Sequence, residues 1–260
     1  MKRTTLITFG LSIAACSSSS STQPPTGAEY DDTAQAIASS TVTRQGDTHG
    51  AGDIFAMADA LSIARGRLPI GFALRSDGRI HGDHMGIDNS FVVTCKDAAG
   101  ATLAKCDDTT DSATVDIKWT GNLMTPSFTA AIDREGMWTI TGLKSATATF
   151  NGTSSFSLDT TVHSIFHAGV TSTDTFASTA GYDAITIATA DHQITGGSAS
   201  FEVKGHRTVT GTAMGAHDVD KSFDVTAELT FHADHTATLV LDGTQTFTID
   251  LTTGKVTRTP

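Results

Sequence analysis

Ser222-Phe-Asp-Val-Thr-Ala-Glu-Leu-Thr-Phe231, His232-Ala-Asp-His235, Thr236-Ala-Thr-Leu-Val-Leu241, Asp242-Gly-Thr244 and Gln245-Thr-Phe-Thr-Ile-Asp-Leu251 follow one another near the end of the chain. Phe223, Val225, Ala227, Leu229 and Phe231 fall on every second position. That period places apolar side chains on one face of an extended strand and polar ones on the other. The breaks at Ala233-Asp234 and Asp242-Gly243 carry tight-turn chemistry, and Asp-Gly is a strong hairpin signal because both turn residues tolerate positive φ. The stretch is predicted to be an antiparallel meander.

The same style extends upstream. Phe91, Val93 and Cys95 alternate, as do Val115, Ile117 and Trp119, then Phe128, Ala130 and Ile132, then Ala146, Ala148 and Phe150. Asp133-Arg134-Glu135-Gly136 and Asn151-Gly152 are read as turns on residue type. Phe156 and Leu158, Ile185 and Ile187, and Phe201 and Val203 continue the pattern. The predicted fold is mainly β: an antiparallel meander forming either a curved sheet or a two-layer sandwich over residues 68–260. Ser164–Gly181, rich in Ser, Thr and Gly, is the candidate internal boundary.

Residues 28–67 read as a short helical segment. Ala28–Ser40 carries Tyr30, Ala34, Ile37 and Ala38 at helical spacing. In Asp53–Arg65, Ile54, Met57, Ala58 and Leu61 form one apolar stripe. Asp53 is placed to cap its start, Gly66 fits just past its end, and Pro69 prevents continuation.

The chain has 260 residues, a formal net charge of -11 and 38% hydrophobic residues. Acidity on this scale offers no electrostatic footprint for nucleic acid. Thr on the exposed faces of strands accounts for the low hydrophobicity without invoking disorder.

The first residues have a separate logic. Lys2 and Arg3 precede an apolar run, Leu6–Ala15, too short to span a bilayer. The run ends in Ile13-Ala14-Ala15-Cys16, which resembles the lipobox of bacterial lipoproteins. The resemblance covers about the first 16 residues. It implies a signal peptide over residues 1–15, cleavage before Cys16, and lipid (palmitate-type acyl chains) on Cys16. Several chains anchor stably where one binds marginally. Ser17 at the next position implies the outer membrane. Residues 16–27, Ser-rich and ending in Pro24-Pro25, read as a tether. With Cys16 assigned to lipid, Cys95 and Cys106 remain as a pair in an exported protein, and a disulfide is the expected state.

Histidine is the unusual usage, with 10 residues and the local pairs His81/His84, His163/His167 and His232/His235. Imidazole nitrogens suit zinc or copper. His163 and His167 lack the Glu that a metalloprotease helix requires. Arg79-Ile80-His81-Gly82-Asp83-His84 is similar to the metal-binding segment of the metallo-β-lactamase superfamily, but Arg79 stands at the first ligand position and the alternating strands and helices are missing. Asp107-Asp108-Thr109-Thr110-Asp111 has oxygen ligands but neither the Gly nor the distal Glu of a calcium loop. Gly196-Gly197-Ser198-Ala199-Ser200 falls short of a nucleophile elbow. No catalytic residue, metal site or cofactor is assigned. The expectation is a membrane-anchored envelope lipoprotein acting as a non-catalytic binding or structural module for a lipid, glycan or protein. The alternative is an anchored hydrolase or metal-dependent enzyme using the histidine pairs.

Overall fold

The computed structural model describes residues 21–22, 24–41, 52–84, 86–164, 169–211 and 218–259. Cys16 and His167 lie outside them. In chain order the elements are β1 (Ser21–Thr22), α1 (Gly27–Thr41), α2 (Asp53–Ala64), β2 (Phe72–Leu74), β3 (Ile80–His84), β4 (Ile87–Lys96), β5 (Ser112–Thr125), β6 (Phe128–Thr141), β7 (Thr147–His163), β8 (Thr171–Ala188), β9 (Ile194–Thr210), β10 (Val219–Phe231), β11 (Thr236–Leu241), β12 (Gln245–Asp250) and β13 (Val256–Arg258).

Strands β2 to β13 pair strictly with their sequence neighbours in one open antiparallel sheet. The predicted meander is therefore a single sheet, not a sandwich. Its opening stretch forms β10–β12, and the turn after Leu241 has positive φ at both Asp242 (46°) and Gly243 (65°). This is the conformation that Asp-Gly supplies without a steric penalty elsewhere in the turn. β11 covers only Ala227–Phe231 of β10. The open edge at Lys221 and Ser222 is taken by β1, which runs parallel to β10.

One face of the sheet carries the core. Phe91, Ile117, Trp138, Ile140, Phe150, Ile185, Leu229, Leu239 and Ile249 are all buried. These positions reach from β4 to β12, a width of roughly 38 Å at the usual strand spacing. Two helices of about 10 Å diameter lie on that face. The two helices divide that width between them, one toward each edge of the sheet. α2 packs on β4, β5 and β7, and α1 on β11–β13 and on α2. α2 is buried nearly all round, with Ile54, Ala56, Met57, Ala60, Leu61, Ile63 and Ala64 inside.

Several local expectations are corrected. Asp133–Gly136 is not a turn: β6 runs straight through it, and Arg134 points inward in phase with Trp138 and Ile140. Asn151-Gly152 is not a turn either. It lies in β7 at a register shift against β8. There the Asn151 side-chain oxygen accepts the amide of Ala184, itself at φ 49°. Turn-type residues thus mark a bulge, where one strand carries an extra residue. After β4 the alternation does not resume at once: residues 103–106 are loop, with one isolated bridge between Lys96 and Thr102. Asp53 does not cap α2: Gly52 occupies that position with no side-chain cap. Within Ser164–Gly181, residues from Thr171 onward belong to β8, hydrogen-bonded to both β7 and β9, so the sheet continues across it.

Candidate ligand-binding site

The inner face is crossed by rows of side chains set by register. Trp119, Arg134, Phe156, Ser178 and Val203 form one row from β5 to β9. Ile132, Leu158 and Phe176 form the next row toward the β5–β6 hairpin tip. The helices cover the face up to about these rows. A cavity of about 320 Å³ opens where the cover stops. Its wall is Ile37 of α1 with Phe156, Leu158, Phe176, Phe201 and Val203 of the sheet. Ser39, Ser178, Asp53 and Arg134 are its polar contributors.

Beside it lies a buried polar network. Arg134 Nη1 donates to Asp53 Oδ1 at 2.6 Å, both side chains being almost fully buried. Ser154 Oγ donates to Asp53 Oδ2 at 3.0 Å, and the Tyr182 hydroxyl donates to the same oxygen. Burial, then the neighbouring Asp53 charge, holds the Tyr182 phenol well above its ordinary pKa of 10.0, so it stays a donor. The Arg134 guanidinium lies 4.9 Å from the Trp119 ring centroid and 4.7 Å from that of Phe156. This stacking suits a planar, weakly hydrated cation. Tyr182 is wedged edge-on between Trp138 and Phe201. A first-turn carboxylate also suits the positive end of α2. The network therefore fixes α2 on the sheet and presents a charge-neutral floor to the cavity. It contains no histidine, so Ser154 has no general base of the usual kind.

The candidate residues named from sequence fall elsewhere. His81 sits on the outer face: Nδ1 meets Asp88 at 2.9 Å and Nε2 meets Asp77 at 2.8 Å. Burial alone would lower its pKa, but the hydrogen bonds to Asp88 and Asp77 outweigh this and raise it. Both ring nitrogens are engaged. Neighbouring Arg79 pairs with Asp116 at 2.7 Å and with the Ser90 hydroxyl. His163 Nδ1 contacts the Thr171 hydroxyl, and His232 Nε2 that of Thr238. His235 is the positive-φ residue of the β10–β11 turn. Among the described residues, no three His, Cys, Asp or Glu converge as metal ligands. Asp107 Oδ1 accepts the amide and hydroxyl of Thr109 in its own turn, and Arg65, Arg67 and Lys144 line the same hollow. Three cationic side chains beside the Asp107 and Asp108 carboxylates disfavour calcium there. The sulfurs of Cys95 and Cys106 lie at disulfide distance, 1.99 Å.

Arg134 and Asp53 were missed because they look like turn and cap residues. Two signals identify them. Arg134 keeps the parity of Ile132, Trp138 and Ile140, and Asp53 lies on the buried side of α2 beside Ile54 and Met57. Neither a family model, nor a curated protein, nor a solved structure matches this chain.

Proposed function

We propose that the protein is an envelope lipoprotein, held in the outer membrane by lipid on Cys16, whose folded part binds an apolar small molecule without transforming it. The cavity beside α1 is the observation that carries the binding half. Eight apolar side chains line it, and the one buried cation there is neutralised by Asp53. A neutral, lipid-like ligand suits such a lining. A glycan would call for many convergent hydrogen-bonding groups, and a strongly charged ligand for an unmatched countercharge. The basic start, short apolar run and Ile13-Ala14-Ala15-Cys16 support the anchor half.

Two measurements test the reading. Organic extraction and mass spectrometry of the purified protein, with titration of 1-N-phenylnaphthylamine, should reveal an apolar occupant or probe binding. Leu158→Arg should abolish both while the circular dichroism stays native. Absence of both in the unaltered protein rules out the ligand. Mass spectrometry of the N-terminal peptide decides the anchor, and an unmodified Cys16 would remove it.

A further inference from the structure

We infer that the sheet docks on the lipid surface through the outer ends of β5–β10. The inference rests on the anchor reading above. Register places Phe128, Val162, Ser172, Val209 and Val219 in one row on the inner face, at the last pairs of β6–β10. At the β5–β6 hairpin tip Leu123 joins the inner face one row inward, and Met124 extends the apolar lip around the tip onto the outer face. The Phe128 row lies two rows beyond Leu158 and Phe176, roughly 13 Å past the cavity wall. Exposure there is high: Met124 79%, Leu123 56%, Val219 41% and Val162 40%. Apolar residues gathered at one lip mark an interaction site, where scattered ones would not.

The occupant is identified by the course of the chain. β1 pairs Ser21 with Lys221 and Thr22 with Ser222, in parallel. Its N-terminal end therefore faces the Val219 end of β10, which is the lip itself. Cys16 precedes Ser21 by five residues, so it can lie no more than roughly 18 Å from it. A lipid on Cys16 holds its bilayer within reach of this end of the sheet and away from the opposite end, where the Asp234 and Gly254 turns lie. One row inward, Arg207 pairs with Asp174 and Lys221 with Glu29, so the charge beside the lip is balanced. The cavity then opens toward the membrane, a short path for an apolar ligand.

The full-length, lipidated protein in vesicles of phosphatidylethanolamine and phosphatidylglycerol tests this. A fluorescent nitrobenzoxadiazole label is placed at Met124→Cys, at Val162→Cys or, as control, at Asp234→Cys. Flotation is measured alongside. The expected result is a blue-shifted emission, quenched by lipids brominated along the chain, at the first two positions and not at the third. Flotation with unshifted, unquenched labels at both lip positions overturns the docking and leaves the anchor standing. Failure to float overturns the anchor and the docking with it. A blue shift already present without vesicles, in the Cys16→Ser protein, assigns the lip to a second copy and overturns the proposal. Leu123→Glu with Met124→Glu should abolish the shift at Val162→Cys. A shift that persists also counts against it.

Discussion

Asp53 satisfies three buried donors at once, from Arg134, Ser154 and Tyr182. Removing it leaves a guanidinium inside the core without its countercharge. Asp53→Ala should therefore cost about 3–5 kcal/mol in chemical unfolding, the range for one-sided loss of a buried pair. Replacing both partners, Asp53→Leu with Arg134→Met, should recover most of that loss, because the desolvation cost disappears with the charges. A double variant no better than Asp53→Ala would mean the network has an interaction beyond the pair. His81 makes a different prediction. Its folded-state pKa is raised above 6.5 by Asp88 and Asp77 despite burial. Its contribution is thus complete below the unfolded value of about 6.5 and is lost as pH rises through the higher folded value. Urea midpoints should decline over that window, and His81→Gln should remove the decline. A slope unchanged by His81→Gln would place its origin in another group.

At the scale of elements, one small pattern recurs at turns: Asp107-x-Thr109, Asp234-x-Thr236 and Asp250-x-Thr252. In each, the carboxylate accepts the amide and hydroxyl of the Thr two residues on. Those side-chain hydroxyl bonds come first among the causes that hold all three carboxyls below the usual 3.8. The sign is opposite to that of His81. The contribution is present above about 3.8 and is lost as pH falls through the depressed values. Asn at all three positions should flatten the acid limb of a stability-pH profile. An unchanged limb would show that these turns do not hold the fold together in acid. A second element-scale prediction concerns the loop between β4 and β5. Replacing Cys95 and Cys106 by Ala should cost about 2–3 kcal/mol, because the unfolded chain regains the entropy of a short closed loop. These turns and the strand alternation were legible because they are local. Asn151-Gly152 was misread for the same reason. Its residues suit a turn, but Gly152 at φ 151° lies against Trp138, where a Cβ would stand 2.1 Å from the Met137 carbonyl oxygen. Close backbone approach in a bulge is a tertiary demand that no neighbouring residue announces. Arg134 was hidden likewise: its partner stands 81 residues away, in a helix.

Across the whole molecule, each long strand is two things in succession. Toward the helices its side chains are sealed: Trp138, Ile140, Phe150, Ile185 and Leu229 have no measurable exposure. Toward the lip the same strands continue with Leu123, Val162 and Val219 open to solvent. Both halves keep their backbone ladders, so hydrogen bonding alone would give them equal stability. What differs is the apolar area removed from water behind the ladder, and local opening should follow that difference. Native-state hydrogen exchange should place the amides of Ile140, Phe150 and Leu229 in the slowest class, opening only with global unfolding. Those of Leu123, Val162 and Val219 should exchange orders of magnitude faster, through fraying that leaves the core intact. The contrast should shrink when an apolar ligand fills the cavity or a bilayer covers the lip, because either restores the missing cover. Uniform protection along β6–β10 in the free protein would refute the division. It would mean that the backbone ladder, not the helices beneath it, sets local stability.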